Sequence, residues 1–265
     1  MITKARMSSD PLPGEGCPPL EPADAARSGL GHFATFSGGL DLVRQEVIEE
    51  VIARHWNTIK IKKHGTAIKN LPHIFETTLR ISNEKGFQAM SMRDLSQETG
   101  LSMGALYAYF SGKDELLTML QETGRAITRR VLEDSLLGVH DPVERLRTAI
   151  RTHVFLSEAM QPWFFFSYME ARHLTYEEKG QAKAGELETE RLLAVILDQG
   201  CEAGVFKEMD SHLAAALIKA MVQDWYLKRW KYTRRRVTVD QYANFVIEFV
   251  DSFCLNPSAS QTNQV

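Results

Sequence analysis

From residue 40 onward, apolar side chains recur three and four positions apart with charged residues between them, and strict alternation is scarce, so the pattern predicts helices and no sheet. The first is an amphipathic helix over residues 40–63, with Leu40, Val43, Val47, Val51 and Ile52 as its apolar stripe. A second covers residues 70–85, burying Ile74, Phe75, Leu79 and Ile81; Gly86 stops it and Phe87 packs back. Residues 91–113 read as two short helices around a sharp turn. Ser91 caps the first with Asp94 three positions on, Gly100 supplies the left-handed residue that ends it, and Ser102 caps the second. Leu95, Leu101 and Leu106 fall on the inner face, small Ser96 and Gly104 permit close approach, and Met103, Ala105, Tyr107 and Tyr109 are left to face outward. Phe110 closes this small core, and Ser111 with Asp114 forms a further cap for a helix over residues 113–136.

Downstream, Asp141-Pro142-Val143-Glu144 is a helix start with acceptor, proline and glutamate in the favoured places, and predicts a helix over residues 141–158. Pro162 opens the run Trp163, Phe164, Phe165, Phe166, Tyr168, Met169. Successive residues advance by about 100° around a helix axis, so these rings cannot share one face. Two readings follow: a helix buried between neighbours, or one whose ring of aromatics partly faces a ligand cavity. Arg172, three or four positions beyond Tyr168 and Met169, could set a cation at the rim of such a cavity. Long apolar-rich helices are predicted over residues 177–203 and 210–232, and the capping box Thr238–Gln241 opens a last helix ending near residue 254. The result is an all-α chain of about ten helices in two parts. The apolar excess of the helices over residues 186–204 and 210–230 is expected to be hidden by pairing with a second copy.

Composition changes this picture at the ends. Residues 1–39 are rich in proline and glycine and are expected to be disordered, with Met7 a second candidate initiation residue; residues 256–265 are expected to be a flexible tail. Residues 58–64, followed by Lys69, hold no acid, and two readings stay open: a basic arm tracking DNA phosphates, or a solvated helix end where cations are favoured. The formal charge of -3 makes any basic surface a local one. Cys17, Cys201 and Cys254 form no C-x-x-C pair, which argues against a zinc site and suits a reducing cytoplasm. Neither an apolar run of membrane-spanning length nor a signal-peptide core is evident, so the expectation is a cytoplasmic protein with no membrane partner. No phosphate-binding loop, nucleophile elbow or metalloprotease motif occurs, and His153, five positions before Glu158, reads as a packed or solvated histidine. No catalytic residue, metal or cofactor is expected.

Glu84-Lys85-Gly86-Phe87, Ser91-Met92-Arg93-Asp94-Leu95, Gly100-Leu101-Ser102, Gly104, Leu106-Tyr107, Tyr109-Phe110 and Lys113 together resemble the helix-turn-helix of TetR-family regulators. On their own these capped helices fit either an αα-hairpin or a DNA reader; the resemblance favours the reader. Helix N-termini offer N–H groups to phosphate, so Ser91 and Ser102 could be contacts as well as caps. The resemblance implies that Tyr107, Tyr109 and Lys113 clamp the DNA backbone, while Arg93, Met103, Gly104 and Ala105 approach bases. Arg93 can bond guanine, but Met103 and Ala105 offer only apolar contact, so readout of base edges by the second helix should be thin. It also implies a homodimer on an inverted repeat of double-stranded DNA, with a small-molecule effector in the C-terminal helices that releases it. A fainter likeness points to sensors of acyl-CoA or other fatty acyl compounds, with Trp163, Phe165, Phe166, Met169, Arg172 and Trp225 at the ligand. The expected division is an extra helix with basic tail at 40–66, the helix-turn-helix at 67–117 and a ligand-binding and dimerisation domain at 118–255. The competing function is a ligand-blind architectural or interaction protein whose bundle only dimerises.

Overall fold

The computed structural model describes residues 32–61, 63–170 and 176–257, with side chains 176–179 and 181–182 left aside. Eleven helices are found among the described residues: α1 Phe33–Arg54, α2 His64–Lys85, α3 Met92–Thr99, α4 Met103–Leu106, α5 Lys113–Ser135, α6 Pro142–Ala159, α7 Gln161–Glu170, α8 Tyr176–Glu202, α9 Ser211–Leu227, α10 Arg229–Arg234 and α11 Val239–Cys254. Extended pairing among these residues is confined to one bridge, Phe206 with Leu255. No described helix is long and apolar enough to cross a membrane.

Two apolar cores organise the helices. One gathers α1 to α5 and α7 around Leu71, Leu95, Phe110 and Leu120; the other gathers α6, α8, α9 and α11 around Phe155, Ile196, Trp225 and Val246. Phe36 touches both. The predicted caps are in place: Ser91 with Asp94 and Thr238 with Gln241 form capping boxes, and Asp141 and Asp210 accept from the N–H groups of Glu144 and Leu213.

Helix ends differ from the sequence reading in several places, among them α2, which begins at His64 instead of residue 70, and the helix expected over 210–232, which is broken at Lys228 into α9 and α10. α1 begins at Phe33, inside the stretch expected to be disordered, because Phe33 and Phe36 set their rings 5.7 Å from that of Phe155 and Asp240 Oδ1 accepts from the Phe33 N–H. The remainder of that stretch, like residues 258–265 of the predicted tail, lies outside the described residues, while Asn256, also placed in that tail, donates to the carbonyls of Val205 and Gly204. α1 also ends at Arg54 instead of running to residue 63, since the chain turns at His55 and Thr58, whose hydroxyl donates to the His55 carbonyl. The start of α5 is capped differently too: Gly112 takes the N-cap position, and Glu115 accepts from the Ser111 N–H where a Ser111 cap was expected.

Candidate functional site

The α3–turn–α4 unit presents one surface of the head. Gly100 takes φ 70° at the turn, the left-handed conformation that a side chain resists. The hydroxyl of Ser96 donates to the Leu101 carbonyl at 2.6 Å and locks the crossing. Ser91, Arg93, Ser102, Gly104 and Tyr107 are exposed, with Met103 and Ala105 half-buried between them. The hydroxyls of Ser91 and Ser102 accept from the N–H groups of Asp94 and Ala105, so both are engaged as caps. The Ser91 N–H, and after it Lys85, hold the Asp94 carboxyl down at about 2. Beside this surface runs residues 55–61: the Lys60 N–H donates to the Ala108 carbonyl at 2.7 Å, and Lys60, Lys63 and Lys69 are exposed. Lys62 lies outside the described residues.

Two expected clamp residues are placed otherwise. Tyr109 does not face outward: it is 1% exposed, and its hydroxyl donates to the Thr66 carbonyl at 3.2 Å. The cause is that α4 lasts only from Met103 to Leu106, so the helical spacing that would have carried Tyr109 round to solvent stops before it. Lys113 is not a free point charge. Its ammonium donates to the carbonyls of Phe87 and Gln88 at 2.7 and 3.1 Å and sits 4.8 Å from the centre of the Phe87 ring. Burial lowers its pKa from the ordinary lysine value.

The second site is a cavity of about 1020 Å³ among α5, α6, α7, α8 and α9. Trp163, Phe164, Ser167 and Tyr168 line it from α7, Leu132 from α5, Leu192 and Val195 from α8 and Tyr226 from α9. Arg125, Arg129, Lys183 and Arg191 add cations to the wall, and Glu133, Glu186 and Glu188 add carboxylates. A small recess shares Leu132, His153, Thr189, Leu192 and Lys219 with the main cavity and reaches on to Ala149, Ile150 and Val222. Of the aromatic run, Trp163 is therefore at the wall. Its ring fits because residue 124 is glycine; a Cβ there would lie 1.9 Å from the indole.

The other expected wall residues are elsewhere. Phe166 is turned to the head, edge-on to Phe87 with centroids 5.8 Å apart, while Phe165 is half-buried and Met169 exposed, both off the cavity lining. Trp225 is fully buried between Tyr232 and Tyr242, and its indole N–H donates to Glu158, which also receives Arg229. For the α7 residues the cause is the 100° step between neighbours: it turns 162, 166 and 170 about 130° away from the mean direction of 163, 164, 167 and 168. Arg172 lies outside the described residues. Sequence reasoning missed Lys219, a cation at a buried position of α9 between Ala215 and Val222; that break in an apolar stripe was the signal available. His153 is packed, as read, but it also lines the cavity, and burial holds its pKa well below the ordinary imidazole value.

Comparison with known proteins decides the family. Residues 74–120 match the bacterial regulatory proteins of the tetR family, and residues 139–250 match the tetracyclin repressor-like C-terminal domain. The chain belongs to the TetR family of DNA-binding transcriptional regulators. It is similar to the HTH-type transcriptional regulator HbdR of Aromatoleum sp. (strain CIB), 22% identical over 181 residues that cover 68% of this chain and 79% of HbdR. It is also 22% identical over 182 residues to the fatty acid metabolism regulator protein of Bacillus subtilis (strain 168), covering 68% of this chain and 92% of that one. Among solved structures, AibR in complex with isovaleryl coenzyme A and operator DNA superposes with a TM-score of 0.61 at 22% identity, covering 69% of this chain and 97% of AibR. Both family matches begin downstream of α1, which is an addition to the matched segments.

Proposed function

We propose that this chain is a homodimeric repressor whose grip on an inverted-repeat operator is released by an acyl-type effector bound in the α5–α9 cavity. The observation that carries the reading is the cavity itself: it exceeds the roughly 300 Å³ needed to hold a small ligand, and α7 forms its wall on one side and touches the head on the other. A bundle that only dimerised would have no use for that volume. An apolar interior with Arg125, Arg129 and Arg191 among its lining suits an acyl chain joined to an anionic carrier, and the coenzyme A thioester bound by AibR is of that chemistry.

On the DNA side, Arg93 and Tyr107 are the exposed candidates for base and backbone contact, with Ser91, Ser102, Met103, Gly104 and Ala105 around them. Lys60, Lys63 and Lys69 extend this surface as a basic arm against phosphates, which fits the Lys60–Ala108 bond that seats the arm beside α4. Tyr109 and Lys113 build the head from within. The dimer forms through the exposed stripe Phe245, Phe249 and Phe253 of α11 with Leu213 and Leu217 of α9. The pairing of α8 with α9 expected from sequence uses a different face; Leu187 and Val195 of α8 line the cavity. The protein acts in the cytoplasm, where its DNA is, and without catalysis.

The test has two arms. Selection of bound duplexes from a random pool should return an inverted repeat with half-sites about 34–36 Å apart or a multiple of that. Isovaleryl-, octanoyl- and palmitoyl-CoA should be screened by thermal unfolding against free CoA, and a ligand at 100 times its Kd should stabilise by about 2.7 kcal/mol and release the selected duplex. Non-palindromic products, or no acyl-CoA that stabilises and releases, would overturn the reading.

A further inference from the structure

We infer that the effector enters the cavity with a carboxylate at its leading end, held between Lys219 of α9 and His153 of α6. This rests on the cavity being the effector site. Both residues line the main cavity and its inner recess, and both are removed from bulk water, at 6% and 3% exposed. The His153 Nε2 is buried without a hydrogen-bond partner, and Lys219 opens onto the same space. Burial lowers the Lys219 pKa from the ordinary lysine value, and Glu186 and Glu190 of α8 offset this only in part, Glu186 accepting from Gln223.

Buried donors left without a partner are costly, because water that solvated them has been removed. They become favourable when a ligand brings acceptors. Lysine has only donors, and a neutral imidazole can turn an N–H toward the same point. The hydroxyl of Thr189, which lines both spaces, adds a third donor. Donors that share one wall of the cavity, an ammonium among them, match a carboxylate far better than a methyl terminus, which would leave the His153 Nε2 unmet. The apolar stretch between them and the Arg125–Arg129 part of the wall takes the skeleton of the ligand. The effector class is then an acyl chain or ring with a carboxylate remote from its carrier: an ω-carboxyacyl thioester, or the free dicarboxylic acid.

The experiment pairs probes of equal length. Octanoyl-CoA, suberyl-CoA, octanoate and suberate are titrated calorimetrically into the full chain and into Lys219→Met and His153→Phe. Suberyl-CoA should bind wild type at least about tenfold tighter than octanoyl-CoA. Lys219→Met should lose that preference while keeping octanoyl-CoA affinity, the methionine being an apolar swap that a buried site tolerates; an unchanged melting curve checks the fold. The free-acid pair tells whether the carrier is needed. Equal or tighter binding of octanoyl-CoA by wild type, or a preference that survives both substitutions, would overturn this inference alone. If wild type binds none of the four while another acyl-CoA stabilises and releases DNA, the carboxylate assignment is wrong and the cavity reading stands; if no acyl compound binds, both fall.

Discussion

The dimer surface can be tested by one charge. On α11, Phe245, Phe249 and Phe253 repeat every four residues and are 63%, 55% and 56% exposed, an apolar stripe that the subunit leaves in water. A phenylalanine offers ~200 Å² in all, so the half exposed at Phe249 is ~100 Å², worth about 2.5 kcal/mol when a second copy covers it. Two-fold symmetry counts each substitution twice, so Phe249→Glu should remove about 5 kcal/mol, a weakening of dimer affinity by roughly a thousandfold or more. The buried glutamate only adds to that loss. Sedimentation velocity at micromolar concentration should then show a monomer with a wild-type helical spectrum, and binding to an inverted repeat should collapse because the two heads are no longer tied. Leu137→Glu, an exposed apolar residue in the α5–α6 turn, should leave the dimer intact. A Phe249→Glu protein that sediments as a dimer would refute the assignment of this face.

Two further outcomes separate roles that look alike in sequence. Tyr107→Phe should weaken binding to all DNA sequences alike, while Tyr109→Phe should leave affinity unchanged and lower stability by about 0.5–1.5 kcal/mol through the lost bond to Thr66, as read by gel shift and urea melt. Asp94 is held at about 2 in the folded head, below its ordinary value of 3.8, so it stabilises the fold above pH 4 and loses that effect as pH falls toward 2. Asp94→Asn should therefore be less stable than wild type at pH 7, with the gap closing on acidification; a gap independent of pH would show that the carboxylate charge is not what matters.

The head was legible because its determinants are local. Ser91, Asp94, Gly100 and Ser102 act within one turn of chain, and each does in the structure what its chemistry dictates. What escaped depended on distant partners. Phe33 and Phe36 looked like strays in a glycine-rich stretch until Phe155, more than a hundred residues away, gave them a surface to pack on. The aromatic run announced that α7 is surrounded, but not which rings meet the cavity and which the head. Lys219 and Trp225 stand six residues apart on one helix: the charged residue, for which no role was expected, meets the cavity, and the aromatic one, expected at the ligand, fills the core. Burial of apolar groups is the safe default, and a functional pocket is where it fails.

That division of α7 between two neighbours is what makes release by a ligand physically coherent. Trp163, Phe164, Ser167 and Tyr168 face the cavity, while Pro162, Phe166 and Glu170 follow each other at four-residue steps along an adjoining face. On that side the Pro162 carbonyl accepts from Asn83 at 2.9 Å, Phe166 meets Phe87 edge-on, and Glu170 accepts from the Phe87 N–H at 3.4 Å. Phe87 in turn is tied to α5 through Lys113, so α2, α5 and α7 meet at one residue. The far end of the head is held as well, since Arg54 and His55 at the end of α1 both engage Glu122 of α5. A ten-residue helix does not bend between its two faces; it moves as a body, and a ligand that prefers one position of Trp163 and Phe164 thereby prefers one position of Phe166 and of the head behind it. A preference of about 1–3 kcal/mol between two head positions already changes operator affinity by roughly 5- to 150-fold. The contacts that would have to supply it are few and short-ranged, and α5, which lines the cavity through Arg125 and Leu132 and reaches the head core through Leu116 and Leu120, links the two as α7 does.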